Sequence, residues 1–112
     1  MTQEEVFSTP HARIFQCDAS ESFHLHFEQE SIEFKLCDLY AFRNKIRQLD
    51  IVALLDSQSP DVEIIHLPHC DRFLVLSIRE ILEFRELLNG TFHILALNSA
   101  IQRILRRHIF NF

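Results

Sequence analysis

The chain has no tryptophan, a single glycine, three prolines and three cysteines in 112 residues. Each shortage excludes something. With Gly90 as the one glycine, no glycine-rich loop can bring backbone N–H groups against a phosphate, so nucleotide-cradling motifs are excluded. Cys17, Cys37 and Cys70 are an odd number without paired spacing. That argues against a disulfide-stapled secreted scaffold and for a reducing, cytoplasmic setting. No apolar run reaches the roughly 18 residues that span a bilayer. The opening MTQEEVFSTPHARIF carries acids and no apolar core segment, unlike a secretory leader. A net charge of −5 argues against a general nucleic-acid binder, which presents a basic surface. The local exception, Arg103, Arg106 and Arg107, reads as a basic last turn that complements a helix dipole.

What the chain does have is apolar bulk. Hydrophobic residues make up 47% of it, and 11 are phenylalanine. That is enough for the core of one domain over residues 1–112. The apolar positions also repeat. Residues 23–57 fall on residues 65–99 without a gap, matching His24/His66, Leu25/Leu67, Phe42/Phe84, Arg43/Arg85, Leu55/Leu97 and Ser57/Ser99. Within each stretch the apolar period changes from two to about 3.6. Phe23, Leu25 and Phe27 alternate with His24 and His26, and Ile32, Phe34 and Leu36 alternate with Glu33 and Lys35. Leu39, Phe42, Ile46 and Leu49 then recur at helical spacing.

The second stretch follows the same plan: strand 62–67, turn Pro68–Asp71, strand 72–77, then a helix opened by the capping box Ser77-x-x-Glu80. Asn89-Gly90 is expected to end that helix, with Gly90 in the left-handed position. Asn98 or Ser99 is expected to cap a separate C-terminal helix. A three- to five-residue loop is expected between 27 and 31, because no glycine is present there for a tighter turn. Segment 12–17 reads as an extra strand, and 56–61 as the polar linker. Segments 50–55 and 91–97 stay open between helix and strand. The expected fold class is α+β: two tandem ββα units forming one antiparallel sheet, helices packed on one face, and a C-terminal helix.

Seven histidines are present. His24, His26 and His66 are expected on the sheet face away from the helices, with His69 and Cys70 at its rim, and zinc accepts such nitrogen and sulfur ligands in a tetrahedron. The spacing lacks the paired C-x-x-C signature of zinc sites, so solvent-facing histidines are the leading reading and a zinc module the alternative. A Cys70–His69 nucleophilic pair would need an orienting group, with Asp71 nearest. An enzyme is not expected.

The strand 72-RFLVLS-77 is apolar on both faces, where the first stretch places Ser31, Glu33 and Lys35. Phe73 and Val75 therefore need cover: the N-terminal strand, the C-terminal helix, or a second copy in a twofold homodimer. Phe110 and Phe112 join them as candidate interface residues. Another, unidentified protein partner fits the same surface.

The stretch 17-CDASESFHLHFEQESIEFKLCDLYAFRNKI-46 resembles a small uncharacterised family of Bacteroidetes-type bacteria. Its members read as a cysteine pair, an HL-x-F strand, a second strand, and a helix opened by L-S-x-x-E. The later 76-LSIREILEFRELL-88 resembles the same helix-opening motif. The resemblance covers most of residues 11–90. Ser20 stands where the family has its second cysteine, so a C-x-x-C metal role does not carry over. The resemblance implies no activity. The expectation is a cytoplasmic, non-enzymatic module that self-associates.

Overall fold

The computed structural model describes residues 3–17, 21–56 and 62–110, the last helix by its backbone alone at 102 and 104–110. In chain order it contains β1 (Gln3–Ser8), β2 (Ala12–Cys17), β3 (Ser22–Phe27), β4 (Glu30–Phe34), α1 (Leu36–Arg47), α2 (Ile51–Asp56), β5 (Val62–His66), β6 (Phe73–Ser77) and α3 (Ile78–Phe110). This is an α+β protein. The strands, expected in one sheet, divide between two. β1 to β4 form an antiparallel meander in sequence order, and β5 with β6 forms a separate antiparallel hairpin. The linker residues 57–61 lie outside the described residues.

The reason for the division lies at the free edge of β4. His69 Nε2 donates to the carbonyl of Glu33 at 2.7 Å, and Arg72 Nη1 donates to that of Ser31 at 3.3 Å. These alternate carbonyls point away from β3, where a fifth strand would bond. Side chains from the second hairpin thus satisfy them, and the hairpin docks beside the sheet without joining its ladder.

Inside the first sheet the alternation sets the register. Phe23 pairs with Phe34, Leu25 with Ile32 and Phe27 with Glu30, and all five apolar side chains are buried. A one-residue slip would expose the whole set. That register leaves only Glu28 and Gln29 for the turn, and Glu28 takes a left-handed φ of 55°. The expected longer loop is therefore a two-residue turn. Cross-strand burial outweighs the cost of the left-handed glutamate, about 1–2 kcal/mol. The second hairpin closes over Pro68–Asp71 as expected, with Leu67 N donating to Arg72 O at 3.0 Å.

Leu39, Phe42 and Ile46 of α1 and Ile81, Phe84, Leu87 and Leu88 of α3 are buried against the inner sheet face. The Ser77–Glu80 capping box forms in both directions: Ser77 N donates to Glu80 Oε1 at 2.8 Å, and Glu80 N donates to Ser77 Oγ at 3.2 Å. Residues 51–56 form a short helix, with Asp50 Oδ1 accepting from Ala53 N at 3.1 Å.

The helix that opens at Ile78 does not stop at Gly90. It runs for 33 residues, so 91–97 are helical and Asn98 and Ser99 lie in its interior rather than at a cap. No glycine takes a positive φ. Gly90 serves a different purpose. A Cβ built there would sit 2.5 Å from Cζ of Phe7 on β1, so the missing side chain makes room for a ring.

This gives a prediction with a change of sign. In a plain helix Gly→Ala gains about 1 kcal/mol. Gly90→Ala is instead expected to lower stability by about 1–3 kcal/mol through overpacking on Phe7. In a Phe7→Ala background the same substitution is expected to stabilise. Urea unfolding of the four proteins checks it, and a stabilising Gly90→Ala in the intact chain contradicts the close approach.

Candidate functional site

The outer face of the four-stranded sheet collects polar side chains because the inner face takes every second residue for the core. Ser22, His24 and Glu33 meet there. Ser22 Oγ donates to Glu33 Oε2 at 3.3 Å, and His24 Nε2 lies 3.4 Å from Ser22 Oγ and 3.5 Å from Glu33 Oε2. The residue types are those of a hydrolase triad, but the geometry is not. A relay needs a histidine that takes the serine proton on one nitrogen and is oriented by the carboxylate through the other. Here one nitrogen faces both groups, and the serine proton points to the carboxylate. The cluster joins β3 to β4 as a cross-strand pair, since His24 and Glu33 are register partners. His26, on the same face, packs its ring edge-on to Phe15 at 5.1 Å.

The other candidate ligands lie elsewhere. His66 sits on the exposed outer face of the hairpin, its ring 5.8 Å from Phe73, and its carbonyl accepts from Lys45 Nζ at 2.8 Å. His69 packs against Phe34, with centroids 4.7 Å apart. A carbonyl can only accept, so Nε2 of His69 carries the proton it donates to Glu33, and that nitrogen has no lone pair for a metal. Its Nδ1 is buried and unpartnered. Cys70 is free and exposed. The five candidate ligands thus occupy two sheets and a turn, and among the described residues no three His, Cys, Asp or Glu side chains are placed to hold a metal ion. The proposed Cys70–His69 pair meets the same obstacle: the His69 nitrogen with a partner serves β4. Cys37 lies exposed in the first turn of α1, its thiol 3.9 Å from Asp38.

A tight polar cluster forms at a place the periodicity did not mark. Glu83 of α3 accepts from Thr9 Oγ1 at 2.7 Å, from His11 N at 2.8 Å and from His11 Nδ1 at 2.9 Å. Its three donors come from the β1–β2 turn, more than 70 residues away in the chain. Burial by itself would raise the carboxyl pKa. The hydrogen bonds from Thr9 and His11, with the charge of His11, outweigh that and hold it below the ordinary carboxylate value. The cluster is a clamp: one carboxylate of α3 gathers a hydroxyl, a backbone N–H and an imidazole of the β1–β2 turn.

The remaining feature is apolar. On the outer face of the second hairpin, Val62, Ile64, Phe73 and Val75 are 47%, 58%, 55% and 53% exposed. Ile64 is paired with Val75, and Phe73 with His66. β1 pairs with β2 at the far edge of the other sheet, so the N-terminal strand does not cover Phe73 and Val75, and no described residue removes them from solvent. The side chain of Phe110 and the whole of Phe112 lie outside the described residues. The basic residues Arg106 and Arg107 have no described side chains. The chain matches no protein-family model, no curated protein and no solved structure.

The clamp has a pH signature. A carboxyl with a depressed folded-state pKa stabilises the fold above its unfolded value, near 4.5, and that contribution is lost as pH falls through the lower folded value. Glu83→Gln is therefore expected to be less stable than the parent at pH 7, by about 1–3 kcal/mol. The gap should narrow as pH drops below 4.5. Thermal melts of both proteins across pH 3–7 measure it, and a pH-independent gap would remove the carboxylate from the explanation.

Proposed function

We propose that the chain is a non-enzymatic module that associates with a second copy of itself through the outer face of its β5–β6 hairpin. The observation that carries this reading is the exposed set Val62, Ile64, Phe73 and Val75. A two-stranded hairpin is marginal in water by itself. One face of this one is occupied by buried Ile65, Leu74 and Leu76, and the other is apolar where an antiparallel sheet normally presents polar groups. Patches of about 300–600 Å² are the largest a typical monomer exposes and are often functional. Four half-exposed large side chains on one hairpin reach that scale. A twofold axis would bring the same patch together from both copies. The patch is smaller than the roughly 800 Å² per partner of a standard interface, which places the dimer at the weak, micromolar end.

Two further features support the class. Ser22, His24 and His69, the groups nearest to a catalytic arrangement, are engaged in holding strands and a turn together. No helix among the described residues is long and apolar enough to cross a membrane, and the exposed thiols of Cys37 and Cys70 suit a reducing compartment. The cytoplasm is the proposed location.

Sedimentation equilibrium over a dilution series tests the proposal. The parent chain is expected to pass from monomer to dimer in the micromolar range. Phe73→Asp is expected to stay monomeric with an unchanged circular dichroism spectrum. A parent that is monomeric throughout, or a folded Phe73→Asp variant that dimerises like the parent, ends the proposal.

A further inference from the structure

A strand edge left open displays main-chain donors and acceptors to any extended chain that reaches it. At the other outer edges of the two sheets something intervenes. His69 and Arg72 take the carbonyls of Glu33 and Ser31 on β4, β1 is bulged between Glu5 and Phe7, and the His66 carbonyl of β5 accepts from Lys45. β6 differs. Leu67 N donates to Arg72 O, so Arg72, Leu74 and Leu76 turn their backbone groups toward β5, and Phe73 and Val75 turn theirs away. Ser77, next in that outward series, gives its N–H to Glu80. Among the described residues no hydrogen bond reaches the N–H and C=O groups of Phe73 or Val75.

That edge borders a cleft of about 710 Å³, lined by residues 73–76 of β6, residues 27–30 at the β3–β4 turn, and Glu80 in the first turn of α3. A residue in a sheet occupies about 160 Å³, from its rise, the strand spacing and the sheet spacing. The cleft therefore has room for an extended segment of about four residues, matching the stretch of β6 that lines it. A guest strand there has the β3–β4 turn at its back. A lone segment tolerates that wall, whereas the edge of another sheet, such as a second copy's hairpin, brings a neighbouring strand that meets it. The lining also sets the charge. Glu28, Glu30 and Glu80 all border the cleft, and of the three only Glu30 has an ion pair among the described residues, with Arg72 at 3.6 Å. We propose that this cleft binds an extended cationic segment of a partner protein, which adds to β6 through the main-chain groups of Phe73 and Val75 and sets lysine or arginine side chains against Glu28 and Glu80. The site uses the main-chain edge of β6 rather than its outer side chains and does not depend on self-association.

The test uses the full chain and a fluorescein-labelled heptapeptide in which lysine alternates with valine and threonine, read by fluorescence anisotropy. Saturable binding of one peptide per chain is expected, weakening as salt is added. The same peptide with glutamate for lysine should bind at least about tenfold more weakly, the scale of one charge-assisted hydrogen bond, and so should a version methylated on its backbone nitrogens. Val75→Pro removes an N–H that the β5–β6 ladder does not use and should abolish binding, while Val75→Thr, which keeps that N–H, should bind as the parent does. Ile64→Asp, on the outer face and outside the cleft lining, should also bind as the parent does, so failure of the dimer and failure of this site are read separately. Absence of saturable binding, equal binding of the glutamate or the methylated peptide, or a folded Val75→Pro that binds like the parent overturns the proposal. So does a monomeric Val75→Pro beside a dimeric Ile64→Asp, the mark of a second copy in the cleft. Where a variant does not fold, the three peptides on the parent chain decide alone.

Discussion

A chain of aromatic rings holds the layers together. Phe27 of β3 meets Phe84 of α3 edge to face at 4.9 Å, Phe84 meets Phe42 of α1 at 6.1 Å, Phe42 stacks on Phe34 of β4 at 5.3 Å, and Phe34 supports His69 at 4.7 Å. Five side chains thus connect the first sheet, both main helices and the turn of the second hairpin. Phe34, Phe42 and Phe84 are fully buried. Rings of this size contribute through area and through edge-to-face geometry, the latter about 0.5–1.5 kcal/mol per pair. Removing a buried ring costs about 3–5 kcal/mol, a large share of the 5–15 kcal/mol that stabilises a typical domain.

Polar side chains then settle the edges that the rings leave open. His69 and Arg72 take the carbonyls of β4, Lys45 takes that of His66, and Arg85 takes those at the end of α1. Each replaces a backbone partner that is absent at an element's end or edge, and unpaired buried backbone groups are costly enough that such replacements are the rule. This distribution gives three of the histidines a structural task. His24 bridges two strands, His69 caps an edge and His11 clamps a helix. Such groups are held by hydrogen bonds to neighbours rather than turned toward a common point.

The surface left over divides into two apolar regions of different character. The hairpin face is exposed and carries the uncharged side chains Val62, Ile64, Phe73 and Val75. The second region is a depression between α1 and α3, lined by Phe23, Leu36, Tyr40, Phe92, Leu95 and Ala96. Both arise where the second stretch departs from the first. Phe73 and Val75 replace Ser31 and Glu33, and α3 continues where α1 stops.

Much of the plan was legible in the residues. Alternation at 23–27 and at Ile32 and Phe34, the helical spacing from Leu39 to Ile46, the Ser77–Glu80 box and the Pro68–Asp71 turn each depend on neighbours close in sequence, and each appears as read, whereas Leu36, read as the last inward residue of the strand, opens α1 exposed and Leu49 lies past the end of that helix. The apolar outer face at Phe73 and Val75 was also legible, because alternation says which residues share a face. Other features were decided by tertiary contacts. Gly90 reads as a helix stop until Phe7, 83 positions earlier, is seen to need the space above it. Glu28 accepts a left-handed turn because five buried neighbours fix the register around it. His69 looks like a ligand until β4 presents a carbonyl to it, and the Glu83 clamp joins segments that share no pattern. Local sequence determined which elements form and which faces are apolar, since propensity and periodicity act over a few residues. Where the elements end, how the sheets divide and what each histidine does were decided only in the folded chain, by groups brought within 3 Å of each other from distant positions.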